Sequence, residues 1–239
     1  MKKIKLFCIP YAGGSATIYS KWAKNLSEYV ELCELELPGR GRRFNESFYR
    51  SIDDAAIDLC EKIKELSEGC RYAILGHSMG SLIAFEVYYK LVELGYPIPL
   101  HIFFSGCRAP HITSIKRRLS DLPLHELREE ILEYGATPTL IFDHEELLKL
   151  FIPIFISDFR MIEDYVYFEK EEKIKSDITI MGGINDGNVS LADLKAWEVH
   201  AFKSANMLSF NGGHFFINED IDEVTSLINK TLCENIQKQ

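Results

Sequence analysis

Apolar positions along the chain follow two rhythms. Dense or alternating apolar runs at 3–9, 30–37, 72–75, 100–105, 178–181 and 205–210 predict strands. Between them, apolar residues return every three or four positions over 18–28, 52–67, 81–94 and 221–236, the period of a helix with one buried face. Asp53 and Asp54 put negative charge at the start of the second of these helices, where the helix dipole favours it, and Gly95 closes the third. Strand and helix alternating in this way predict an α/β fold, with a mostly parallel central sheet covered by helices on both faces. The expected organisation is a single domain over 1–239.

The rhythm breaks over 108–172, where no strand pattern stands out. Residues 122–134 read as an amphipathic helix closed by Gly135, and 144–167 carry Leu147, Leu148, Leu150, Phe151, Ile154, Phe155, Phe159, Ile162 and Val166 around Pro153. So much apolar surface must fold back on something. The expectation is a helical lid inserted into the domain. Its apolar residues either pack simply onto the sheet or roof an acyl-binding cavity, and the two are compatible. The mixed charges of 169–175 read as a solvated connector.

Composition adds limits. With 46% apolar residues among 239, the chain can bury a large core. The first strand begins almost at Met1, which leaves no room for a secretory leader, and no apolar run has the length of a membrane span; a cytoplasmic protein is expected. A net charge of −9 argues against a nucleic-acid or anionic-membrane surface. Two basic clusters, Arg40-Arg42-Arg43 and Lys116-Arg117-Arg118, run against that charge. Either they are ordinary solvated side chains or they dock an acidic partner. Six scattered cysteines, without a C-x-x-C pair or histidines at ligand spacing, read as buried free thiols, with no metal site.

The chemistry centres on Gly76-His77-Ser78-Met79-Gly80, which joins the strand at 72–75 to the helix at 81–94. This is a G-x-S-x-G elbow, in which a sharp strand-to-helix turn between glycines holds a strained serine with its Oγ above the sheet. The pentapeptide alone is common, and its placement is what gives it weight. A serine hydroxyl is a weak nucleophile and needs a base, which in turn needs an orienting carboxylate, in the chain order Ser, Asp or Glu, His. His214 alone among the seven histidines follows a late strand in a Gly-rich turn, Asn211-Gly212-Gly213-His214. His77 adjoins the nucleophile but faces elsewhere on the elbow. Asp186 leaves the end of the preceding strand and is the expected orienting carboxylate; Asp193 is the fallback, and Asp177 lies at the wrong end.

A negative oxygen developing at the substrate carbonyl requires hydrogen-bond donors. The amide of Met79, which follows the nucleophile, supplies one. The other is expected from the loop Pro10-Tyr11-Ala12-Gly13-Gly14-Ser15-Ala16, at Ala12 with Tyr11 beside it. That loop lacks both G-x-G-x-x-G and a P-loop lysine, so a nucleotide site is a poor fit.

Taken together, PYAGGSA (10–16), LPGRGRR (37–43), GHSMG (76–80), SGCRAPH (105–111), GGINDGNVS (182–190) and GGHFF (212–216) resemble, in order and over nearly the whole chain, the stand-alone type II thioesterases of nonribosomal peptide and polyketide synthesis. These are α/β-hydrolases. The resemblance implies Ser78 as nucleophile, His214 as base, Asp186 as its partner, and the Ala12 and Met79 amides as oxyanion hole. It also implies a phosphopantetheine thioester on an acyl or peptidyl carrier protein as substrate, editing of misprimed or stalled carriers as purpose, no cofactor of the enzyme's own, and a monomer. Tyr11, Arg40, Arg42, Arg43 and Phe215 are the expected substrate or carrier contacts. One departure is visible: Pro153-Ile154-Phe155-Ile156-Ser157-Asp158-Phe159 has Ile156 and Ser157 where P-x-x-R-A-D-F has arginine and alanine. A carboxylesterase or lipase, or an acyltransferase or cyclising release enzyme, would use the same three side chains.

Overall fold

The computed structural model describes residues 3–112, 117–135 and 140–237; Lys116 of the second basic cluster lies outside them. In chain order the regular elements are β1 (Ile4–Ile9), β2 (Val30–Glu34), α1 (Ile52–Ser67), β3 (Arg71–His77), α2 (Met79–Glu93), β4 (His101–Ser105), α3 (Leu124–Tyr134), α4 (Leu140–Asp143), α5 (Glu145–Glu163), β5 (Asp177–Gly183), α6 (Leu191–Lys195), β6 (Asn206–Phe210), α7 (Phe216–Glu219) and α8 (Ile221–Gln237). The strands form one sheet in the order β2-β1-β3-β4-β5-β6, with every pairing parallel. After β2 the chain crosses back past β1 to lay down β3. The loops leaving β1 and β3 therefore flank a switch point at the carboxyl edge of the sheet, where open α/β sheets carry their sites.

Strand alternation sorts the interior into two layers. Phe7 and Ile9, Tyr72 and Ile74, Ile102 and Phe104, and Ile178 and Ile180 pack on the face covered by α1 and α2. Their sequence neighbours Leu6, Cys8, Ala73, Leu75, Phe103 and Met181 pack on the opposite face, with Val224, Ile228 and Leu232 of α8. Period two along each strand is thus what fills both layers. Helix α1 answers with Ile52, Ala55, Ala56, Leu59, Cys60 and Ile63 on one stripe, and Ser51 caps it by accepting the Asp54 amide at 3.0 Å. Each buried Leu, Ile or Phe in these layers contributes about 1.5–3 kcal/mol relative to exposure.

One predicted helix has a different form. Over 18–28 the pattern predicts an ordinary helix, whereas the chain makes a tighter 3-10 helix at Ala16–Lys24. Its buried residues are Ala16, Tyr19 and Trp22, and that spacing of three matches three residues per turn. The Tyr19 hydroxyl then donates to the Ile9 carbonyl at 2.9 Å, tying the segment to the end of β1.

Between β4 and β5 the described residues form α3, α4, α5 and a short 3-10 turn, with no strand. Leu127, Ile131, Phe142, Phe155 and Phe159 make a third apolar cluster separate from the two sheet layers. Ile156, at the position of the resembled family's arginine, packs partly buried against that cluster. The insertion therefore folds chiefly on itself.

Candidate active site

Ser78 joins β3 to α2 with φ 53° and ψ −119°, and it is the sole non-glycine residue at positive φ among the described residues. The flanking glycines serve a purpose other than the expected one. Neither Gly76 nor Gly80 sits at positive φ, so the unusual backbone conformation belongs to the serine itself. What the glycines supply is space. A Cβ on Gly76 would stand 2.0 Å from the Gly80 carbonyl oxygen, and one on Gly80 would stand 2.3 Å from the Ile9 carbonyl oxygen. The start of α2 can press against the ends of β3 and β1 only where both side chains are missing.

The Ser78 hydroxyl lies 3.0 Å from His214 Nε2, and His214 Nδ1 lies 2.8 Å from Asp186 Oδ2. With the imidazole neutral, Nδ1–H donates to the carboxylate and Nε2 accepts from the serine. The other carboxylate oxygen of Asp186 accepts the amides of Asn188 at 2.8 Å and Val189 at 3.2 Å, which fix its orientation. The loops carrying Asp186 and His214 are laced by their backbones. Ile184 donates to Phe210 and Asn185 to Gly212, each at 2.9 Å, and a Cβ on Gly183 would stand 2.1 Å from the Gly213 carbonyl oxygen.

The alternatives weighed from sequence are occupied elsewhere. Asp193 forms a reciprocal cap with Ser190 at the start of α6, and Asp177 opens β5 and pairs with Lys203 at 2.8 Å. His77 is fully buried, with Nδ1 2.8 Å from Ser105 Oγ. Burial first, and the neighbouring His214 second, hold its imidazole well below its usual pKa, hence neutral. The His214 backbone works in the opposite direction.

Ser78, Met79 and His214 open on a cavity of about 850 Å³. Its walls are the loop after β1, the start of α2, the segment after β4, and apolar side chains of the insertion including Ile131, Phe155 and Phe159. Both expected oxyanion donors, Ala12 and Met79, line it, and among the described residues neither amide has a protein acceptor. Two unclaimed donors beside a serine and a histidine match what a developing oxyanion needs. Tyr11 and Phe215 also line the cavity, their rings 4.6 Å apart. Among the described residues no group of three His, Cys, Asp or Glu side chains stands ready to hold a metal, and no helix is long and apolar enough to cross a membrane.

The basic cluster requires a correction. Arg40 was expected to contact substrate or carrier, yet it is buried at 5% exposure and does not line the cavity. Its guanidinium forks onto Asp158 of α5 at 2.6 and 2.7 Å and also donates to the Gly14 carbonyl at 3.1 Å. Arg43 likewise turns inward, toward Glu46, Asp58, Tyr49 and the Glu36 carbonyl. Of the three, only Arg42 is exposed, and even it donates to the Glu34 carbonyl. A buried guanidinium is stable only when paired, which is why Arg40 belongs to the interior.

Sequence reading missed the role of Asp158. It is fully buried, accepts both Arg40 donors, and accepts the Gly13 amide at 2.7 Å, so α5 grips the loop that carries Ala12. A carboxylate set between Phe155 and Phe159 on an apolar helix was the available signal, since such a group needs a buried cation. Tyr134 was missed as well; its ring stands edge-on to His214 at 5.7 Å, bringing α3 against that imidazole.

Residues 4–232 match the Thioesterase domain family. The gramicidin S biosynthesis protein GrsT of Aneurinibacillus migulanus is 32% identical over 96% of this chain and 89% of its own. The crystal structure of ClbQ from the colibactin NRPS/PKS pathway superposes with a TM-score of 0.94 at 34% identity, covering 100% of both chains. The type II thioesterase BorB from the borrelidin cluster superposes at 0.86 with 28% identity, over 95% of this chain and 92% of its own. A serine elbow on a parallel sheet and a family match spanning nearly every element lead to one assignment: this chain belongs to the thioesterase family, as a thioester hydrolase built on the α/β-hydrolase fold.

Proposed function

We propose that this chain is a type II thioesterase that removes misprimed or stalled acyl and peptidyl groups from the phosphopantetheine arms of carrier proteins in a peptide or polyketide synthase. The observation that carries the reading is the hydrogen-bonded line Ser78–His214–Asp186 opening on a largely apolar cavity beside two unclaimed amides. Its relatives include proteins named for gramicidin S biosynthesis and for the colibactin and borrelidin clusters.

In this reading Ser78 Oγ attacks the thioester carbonyl while His214 Nε2 takes its proton, and Asp186 holds the imidazole in the tautomer that can accept it. The Ala12 and Met79 amides stabilise the tetrahedral oxyanion. Collapse breaks the carbon–sulfur bond, and the departing pantetheine thiolate receives the proton from His214. Water, deprotonated by the same imidazole, then attacks the acyl-serine, and the proton returns to Ser78 Oγ as the acid leaves. A thiolate departs easily, so oxyanion stabilisation and exclusion of bulk water carry more of the work than acid catalysis. The enzyme supplies no cofactor, because the phosphopantetheine arrives with the substrate, and it acts as a monomer.

Intact-mass analysis of acylated carrier proteins tests this. Wild-type protein is expected to convert acyl-carrier to free holo-carrier, whereas Ser78→Ala leaves the acyl mass intact while still binding carrier. Faster turnover of free p-nitrophenyl esters than of acyl-carrier would favour a carboxylesterase instead, and full activity of the Ser78→Ala protein would remove Ser78 from the mechanism.

A further inference from the structure

Ser78 and, on α2, Met79 and Leu82 line the cavity, and one turn beyond Leu82 on the same helix face comes Glu86. Glu86 does not reach the cavity. It is buried at 8% exposure and accepts the Tyr165 hydroxyl at 2.7 Å and Lys170 Nζ at 2.6 Å. Tyr165 does line the cavity, so with its hydroxyl committed to Glu86 it offers the cavity an aromatic surface rather than a hydrogen bond. Lys170 lies over the rings of Phe85 and Tyr89 at 5.5 and 5.0 Å, which braces the far side of the same carboxylate.

The helix supplies the scale. Glu86 follows Ser78 by eight residues, which at the α-helical rise is ~12 Å along the axis. We infer that Tyr165, pinned by Glu86 and Lys170, is the end wall of the acyl channel and sets the longest linear acyl group that fits. This rests on the thioesterase reading of the site. The substrate class it names is an unbranched apolar acyl group that ends at the Tyr165 ring, short of the roughly two helical turns that separate Ser78 from Glu86. A longer chain must displace a ring whose hydroxyl donates to the partly buried, ion-paired Glu86, and leaving that carboxylate short of a donor is costly.

The test is a kcat/KM profile over straight-chain acyl pantetheine thioesters from acetyl to hexadecanoyl. Wild-type protein is expected to break sharply at one chain length, losing about tenfold or more per added methylene beyond it, as packed apolar pockets do. Tyr165→Ala should move that break to longer chains, with at least about a tenfold gain for the first excluded substrates relative to the short ones. Tyr165→Phe, which keeps the ring and loses the pin, should leave the break in place but make it shallower. A wild-type profile without a break overturns the inference, and that measurement needs no substitution. A Tyr165→Ala profile parallel to wild type, all lengths falling together, also overturns it and leaves Tyr165 a structural residue. Absence of hydrolysis of every thioester by the wild-type protein would instead sink the thioesterase reading on which the inference rests.

Discussion

The carboxyl edge of the sheet and the helical insertion above it are held by different means. At the sheet edge the chain is fixed by backbone against backbone: Gly76 against Gly80, Gly80 against Ile9, Gly183 against Gly213. The insertion is fixed by side chains, namely its own cluster of Leu127, Ile131, Phe142, Phe155 and Phe159 and the buried fork from Arg40 to Asp158. Backbone contacts admit almost no substitution, so the site leaves a motif in the sequence. Side-chain contacts accept many solutions of similar volume, so the roof can vary while the chemistry below stays put.

That contrast can be broken at several points. The largest expected effect is Asp186→Asn, which should lower kcat on the order of 10⁴-fold by releasing the His214 tautomer. A thermal midpoint within a few degrees of wild type would accompany it, because the Asn188 and Val189 amides keep an acceptor. A large loss of stability instead would mean that Asp186 is chiefly structural.

Next comes the joint between the regions. Asp158→Leu strands the Arg40 guanidinium and should cost about 3–5 kcal/mol by denaturant titration, whereas adding Arg40→Met should recover most of it. If both proteins were equally unstable, the Gly13 contact rather than the ion pair would be what holds α5.

Gly80→Ala forces a Cβ to 2.3 Å from a main-chain oxygen and should cost about 3 kcal/mol, the upper end for overpacking. Gly187→Ala, at the same edge, meets nothing within 4 Å and should stay within about 0.5 kcal/mol of wild type. Equal costs at the two positions would refute the view that close backbone approach is what selects glycine here. The smallest effect is expected at Arg42, exposed and outside the cavity: Arg42→Glu should change stability by less than about 0.5 kcal/mol. A several-fold rise in KM for acyl-carrier, with no change for acyl-pantetheine, would instead mark it as a carrier contact.

The same division explains what could be read from the chain. That Ser78, Asp186 and His214 come together could be read from glycine-containing turns beyond β3, β5 and β6, a local pattern that a sharp turn imposes on sequence. The strands were legible as dense or alternating apolar runs, although β2 stops at Glu34, short of the 30–37 run, and β3 and β5 extend past theirs, over Arg71–His77 and Asp177–Gly183. Arg40 was misread because whether an arginine is solvated or buried depends on a residue 118 positions away. No local pattern carries that information. The segment after β1 was read as an α-helix because apolar spacings of three suit both helix types over so short a stretch. The glycines of the elbow were identified correctly but explained wrongly, since clearance between β1 and α2 is a tertiary quantity.

The hold of Asp158 on the Gly13 amide has a practical consequence for engineering. Anyone transplanting the roof of another hydrolase onto this scaffold to change what it accepts would also exchange an anchor of the loop beside Ser78. The graft must bring an acid in register with Arg40, or the arginine must be replaced with it; otherwise a chimera made for new selectivity would lose its rate first.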